Sequence, residues 1–291
     1  MLSFEEIRTL CTRFRISVDQ LLNLDTDTTI FVGKYGTPES FRFEEHLQGF
    51  LSSVQYLNSF ERKHIFNFTK DIPGFYYFMF PELASFKYFA WMKTLLNYPE
   101  YANSKFSVGQ LMTPLQEKGN KVAELYTEIP GTEIMNVDNI MTTLRQIEYY
   151  KDTGLIASPR DLEILYEKMY DMINHMEKQA DLGVKFMPGK KPHHKSAALN
   201  MFVNDFVVGD NSILAVLDDS KLCFLNHNML HFLMTKDRKF AEYSYNFIQN
   251  IIKKSNLISG VGERDRTKFF NLIRERIDSF RKNEFKTLSK I

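Results

Sequence analysis

His227 and His231 stand four residues apart, a spacing that puts two imidazoles on one face of a helix, as two nitrogen ligands of a metal would need. His193 and His194 are adjacent and flanked by lysines, whose charge opposes a cation. Neither pair is expected to hold a metal. Gly260 and Gly262 form a glycine pair of the kind that binds anions ahead of a helix. The remainder of a nucleotide fingerprint is missing, so the simpler reading is a turn that lets Glu263 start a helix. His175 falls on an apolar helical stripe and is expected to be a hydrogen-bonded core residue. No nucleophile elbow, zinc-protease or kinase pattern occurs, and spacing singles out no carboxylate pair for acid–base work. The expectation is a protein that is not an enzyme, with no cofactor and no metal site.

A second chemistry is apolar. Residues 72–96 are the most aromatic part of the chain, cut by Pro73, Gly74 and Pro81, and they read as two buried helices. Phe75, Tyr77, Phe78, Phe86, Phe89 and Trp91 are the candidate lining of a pocket for an apolar small-molecule effector, since aromatic concavities commonly house such ligands. The simpler reading is that these rings only pack the core.

These residues must be positioned by a chain of 291 residues, with 44% hydrophobic and 25% charged residues and a net charge of +1. That length can bury a sizeable core, and the near-neutral charge excludes a strong polyanion binder as a whole. The end is less even: from Lys253 to Lys290, eleven basic residues face five acidic ones. Such a helix could touch a DNA backbone or be a solvated face. Cys11 and Cys223 are far apart and read as small buried residues, with no disulfide framework. No signal peptide opens the chain and no apolar run has the ~18 residues of a membrane helix. A cytoplasmic location is expected.

Periodicity and punctuation set the elements. Ser3 with Glu6 makes a capping box for a first helix, and Ser17 with Gln20 repeats it for a second. Residues 29–32 read as an extended piece, 39–57 as a helix, and 61–69 as a further short helix. Helices follow at about 113–128, opened by Thr113 and Pro114, at about 137–151, and from Ser158 and Pro159 to Gly183. Residues 201–208, 212–217 and 221–225 are β-prone and suggest a small antiparallel meander. Helices at about 238–254 and 263–286 close the chain. The predicted fold class is mainly α: a multi-helix bundle or helical stack with a small antiparallel β-element in the C-terminal third. The predicted organisation is a helical hairpin remnant over 1–28, a helical regulatory domain over 29–185, a linker over 186–198, and an α+β region over 199–291.

The N-terminal hairpin, with Ser17, Val18, Asp19, Gln20, Leu21 and Leu22 at its second step, resembles helices four and five of phage-repressor-type (XRE-like) helix-turn-helix domains. Residues 143–150, 202–210 and 259–270 resemble segments of regulators of Bacteroidetes type, which join such a head to a long C-terminal region. The resemblance implies that Met1 falls where the fourth helix begins, so the recognition helix, which reads the major groove in that family, is absent from this sequence. It further implies the sensor or oligomerisation region of a one-component transcriptional regulator, homodimeric, touching DNA only through that incomplete head. The alternative is a helical protein-interaction scaffold with neither DNA nor small-molecule ligand.

Overall fold

The computed structural model describes residues 3–14, 29–32, 43–68, 71–95, 99–110, 113–205, 212–218, 220–228, 231–260 and 262–282. Their backbone hydrogen bonds converge on one eight-stranded mixed sheet. In chain order the elements are α1 (Phe4–Phe14), β1 (Thr29–Val32), α2 (Phe43–Asn58), β2 (Lys63–Phe68), α3 (Gly74–Met79) and α4 (Pro81–Ala90), which continues as a π-turn over Trp91–Leu95. Then come α5 (Thr113–Tyr126), β3 (Gly131–Met135), α6 (Val137–Asp152), α7 (Pro159–Leu182) and β4 (Leu199–Val203). The last are β5 (Ser212–Leu217), β6 (Ser220–Asn228), β7 (His231–Thr235), α8 (Arg238–Ile252), β8 (Asn256–Leu257) and α9 (Glu263–Arg281).

The sheet order is β1-β7-β6-β5-β2-β3-β4-β8. Strands β2, β3 and β4 run parallel, and every other neighbouring pair is antiparallel. The expected mainly-α bundle is therefore corrected to an α/β fold. The expected meander exists as β5-β6-β7, but it is one flank of a larger sheet. Two elements account for the error. Residues 61–69, read as a short helix, contain β2, whose partners Gly131 to Glu133 and Ser212 to Leu217 are distant in sequence. Residues 131–135 read as a break between two helices and are in fact the parallel strand β3. A strand defined by remote partners leaves little periodicity in its own window. His227 and His231 lie in β6 and β7, so the shared helical face imagined for them does not form.

Local signals elsewhere match the structure. The Ser3 amide donates to Glu6 Oε2 at 2.7 Å and the Glu6 amide to Ser3 Oγ at 3.3 Å, the reciprocal pair of a capping box. The second hairpin step, residues 17–24, lies outside the described residues. Helix α7 starts from Ser158, whose hydroxyl accepts from the Asp161 amide at 3.1 Å, and stops at Gly183 in the left-handed conformation. Gly262, also left-handed, precedes α9; a Cβ there would lie 2.7 Å from the Leu257 carbonyl, so this position requires glycine.

Pleating sorts the core into two unequal layers. Ile65, Met135, Leu199, Met201, Ala215 and Leu217 face a thick helical layer built from α2 to α7 and α9. Phe66, Phe68, Ile134, Leu214 and Cys223 face the other way, against Ala241, Ile248 and Ile251 of α8. Three of the C-terminal basic residues pair within the chain. Along α7, Arg266 pairs with Asp181 at 2.7 Å, Arg274 with Glu177, and Arg281 with Glu163. Residues 186–198 turn back on themselves, with the Lys185 amide donating to the Ala197 carbonyl at 2.9 Å, and strands from both sides of this stretch join the one sheet. Among the described residues no helix is long and apolar enough to cross a membrane.

Candidate functional site

Glu133 is the middle residue of β3 and points into the thick helical layer, where it has no solvent exposure. A buried carboxylate needs donors, and two phenols supply them. Tyr76 of α3 donates to Oε2 at 2.6 Å, and Tyr126 at the end of α5 donates to Oε1 at 2.5 Å. Each carboxyl oxygen thus accepts a hydrogen bond from one phenol. Asn67, its register partner on β2, donates from Nδ2 to the Tyr126 hydroxyl at 2.9 Å. Burial first, and the Glu133 charge second, hold both phenols well above the usual tyrosine pKa. They remain protonated donors.

The balancing cation arrives from an unusual direction. Lys185, three residues beyond α7, is fully buried, and its ammonium lies 3.7 Å from the centre of the Tyr126 ring. Neither Lys185 Nζ nor Asn67 Oδ1 has a hydrogen-bond partner among the described residues. Burial lowers the lysine pKa to about 8, against the opposing pull of Glu133. Room for the ammonium depends on Gly131, where a Cβ would lie 2.5 Å from Nζ. On the sheet's other side His64 bonds Thr132 Oγ1 at 2.8 Å, and burial, aided by the Lys185 charge, lowers its pKa to about 4.

From this centre a chain of polar contacts leads outward, in which the single Tyr76 proton is shared between Glu133 and Gln179. Tyr76 OH lies 3.2 Å from Gln179 Oε1; Gln179 Nε2 lies 2.8 Å from His175 Nε2 and donates to the Phe186 carbonyl at 2.7 Å. His175 is the bonded core residue that its stripe predicts, and burial lowers its pKa to about 4, so the ring is neutral near pH 7. Its outer edge meets a cleft of about 720 Å³. Phe80, His175 and Phe186 form the floor in a row of edge-on rings, 6.0 and 4.9 Å between centres. Lys168, Lys178, Lys190 and Lys191 stand around it with Glu82 and Asp171. Cleft and buried centre are two ends of one polar chain.

The six aromatic residues expected to line an apolar pocket sit elsewhere. Phe75 stacks on Tyr126 at 4.2 Å, Phe78 meets Phe50 edge-on at 5.8 Å, and Phe86 and Phe89 pack against Phe106 and Tyr150. Trp91 meets Tyr88 at 5.0 Å. Tyr77 directs its hydroxyl to Asp71 Oδ1 at 2.8 Å and to Thr143 Oγ1 at 2.5 Å, in a second polar cluster that Lys87 closes by pairing with Asp71 at 2.8 Å. The 720 Å³ cleft instead takes Met79, Phe80, Pro81 and Glu82 from this stretch.

The sequence reading missed Glu133, Lys185, Tyr126 and Gln179. One signal was available: Lys185 and Glu133 are charged residues inside otherwise apolar runs, and such residues are seldom fully buried without a partner. His193 and His194 are exposed, and among the described residues no three His, Cys, Asp or Glu side chains gather as a metal site. No protein-family model matches this chain, and no curated protein or solved structure is significantly similar to it.

Proposed function

We propose that the chain is the sensor and self-association region of a one-component transcriptional regulator, acting in the cytoplasm, with the 720 Å³ cleft as its effector site. The observation that carries this reading is the contiguous chain of buried polar contacts from the cleft floor to the middle of the sheet. An occupant that shifts His175 or Phe186 pulls on Gln179, and through it on Tyr76 and Glu133. Coupling of this kind needs a contiguous element that an occupant can bias.

The non-catalytic part of the proposal rests on closure. Tyr76, Tyr126, Glu133 and Lys185 have at most 1% exposure, so the most chemically perturbed groups are not offered to a substrate. The DNA-linked part rests on residues 1–24, whose resemblance assigns DNA reading to a head of which 1–28 is the closing portion. Regulators with such heads bind paired half-sites as dimers.

The test fuses the full chain behind a DNA-reading head that represses only as a dimer. The expected outcome is operator repression together with a dimer in sedimentation. A monomeric chain whose fusion leaves the operator free overturns the regulator reading and favours a scaffold that binds other proteins.

A further inference from the structure

We infer that the occupant of this cleft is a small organic anion with a flat, apolar portion, such as an aromatic phosphate or carboxylate. The inference rests on the cleft being the effector site and adds the chemistry of the ligand. The floor is uncharged: the largely buried side chains of Phe80, neutral His175 and Phe186 line it, and Pro81 and Pro188 extend the apolar lining. Rings of this kind favour an aromatic partner through offset or edge contact.

The rim carries the charge. Four ammonium groups face two carboxylates, and the pairing is uneven. Lys168 bonds Asp171 at 2.8 Å and is also drawn by Glu82 and Glu167, so its charge is fully engaged by carboxylates. Lys190 pairs at 3.4 Å with Glu124, which is not part of the cleft wall. Lys178 reaches over the Phe186 ring, 5.9 Å from its centre, and among the described residues no carboxylate lies within ion-pair distance of Lys178 or Lys191. Lys178 and Lys191 are therefore the cleft-wall ammoniums left to meet an anion, Lys178 standing over Phe186, whose carbonyl Gln179 holds. An anion seated there draws Lys178 and Lys191 together while its ring lies on Phe186 and His175. A neutral apolar molecule would leave both ammoniums without a counter-charge.

The probe is pyridoxal 5′-phosphate, an aromatic aldehyde carrying a phosphate, applied to the full chain. It condenses with a lysine amine, losing water, and borohydride reduces the imine to a stable amine that peptide mass spectrometry locates. Pyridoxal, which lacks the phosphate, is the control. The expected result is labelling of Lys178 or Lys191 about tenfold faster than other exposed lysines, equivalent to about 1.4 kcal/mol of preferential binding. That preference disappears with pyridoxal and is suppressed by excess phenyl phosphate but not by phenol. Even labelling of all exposed lysines by both aldehydes overturns the inference, and so does equal cleft preference for both. Even labelling in a chain that still dimerises and represses as a fusion sinks the ligand class and leaves the regulator reading. Cleft-selective labelling in a chain that stays monomeric does the reverse.

Discussion

The ammonium of Lys185 lies 3.7 Å above the ring centre of Tyr126, and the hydroxyl of the same ring donates to Glu133 at 2.5 Å. One tyrosine thus stands between a buried cation and a buried carboxylate, touching the first with its π face and the second with its proton. The two charges are not in direct contact, so their balance depends on the ring between them.

Removing both charges should therefore cost less than the two single losses combined. Glu133→Gln leaves an uncompensated buried ammonium, and Lys185→Met leaves the carboxylate with phenols alone. Each is expected to destabilise the fold by about 3 kcal/mol, the usual cost of breaking a buried pair. The double variant should lose clearly less than the sum. Urea unfolding of the four chains measures this coupling, and strict additivity would show that the charges do not interact.

Gly131→Ala places a methyl group 2.5 Å from Lys185 Nζ and 3.4 Å from the Ile65 carbonyl. The lysine tip is flexible but enclosed, so the expected loss is about 1–3 kcal/mol, typical of overpacking. Shortening the obstacle should recover much of it: Gly131→Ala with Lys185→Met ought to fall less below Lys185→Met than Gly131→Ala falls below the native chain. Thermal and urea unfolding would read the difference.

The two buried imidazoles predict loss of stability in mild acid. His64 and His175 have folded-state pKa values near 4, below the ordinary 6.5 of an unfolded chain. Their contribution is fully present above pH 6.5 and is lost as pH falls towards 4, because the unfolded chain binds the protons first. Lys185, lowered from 10.5 to about 8, adds stability as pH rises between those values by the same rule. Denaturant midpoints should fall between pH 7 and pH 5, and His175→Gln should flatten that slope. An unchanged slope in the variant would mean that His175 protonates as readily in the folded chain as in the unfolded one.

Elements with their own punctuation were legible in the sequence: α7 between Ser158 and Gly183, the split of residues 74–90 at Pro81, and the Ser3–Glu6 cap. These signals act over three or four residues, within the span that a helix reads. β3 was not legible, because Pro130 and Gly131 look like a helix stop and Glu133 looks like a surface residue. Its strand character comes from Ile65 on one side and Leu199 on the other. The cleft was hidden for a similar reason. Lys178 and Lys191 are ordinary surface lysines until the turn at residues 187–190 brings them to one rim.

The most direct test of the central claim, that the cleft is wired to the sheet, is amide hydrogen exchange on the full chain with and without pyridoxal 5′-phosphate reduced onto its cleft lysine. Occupancy is predicted to slow exchange at residues 186–191 and also at 131–135 and 74–79, the segments carrying Glu133 and Tyr76. Protection confined to residues 186–191 would contradict it, leaving a surface site with no mechanical link to the core.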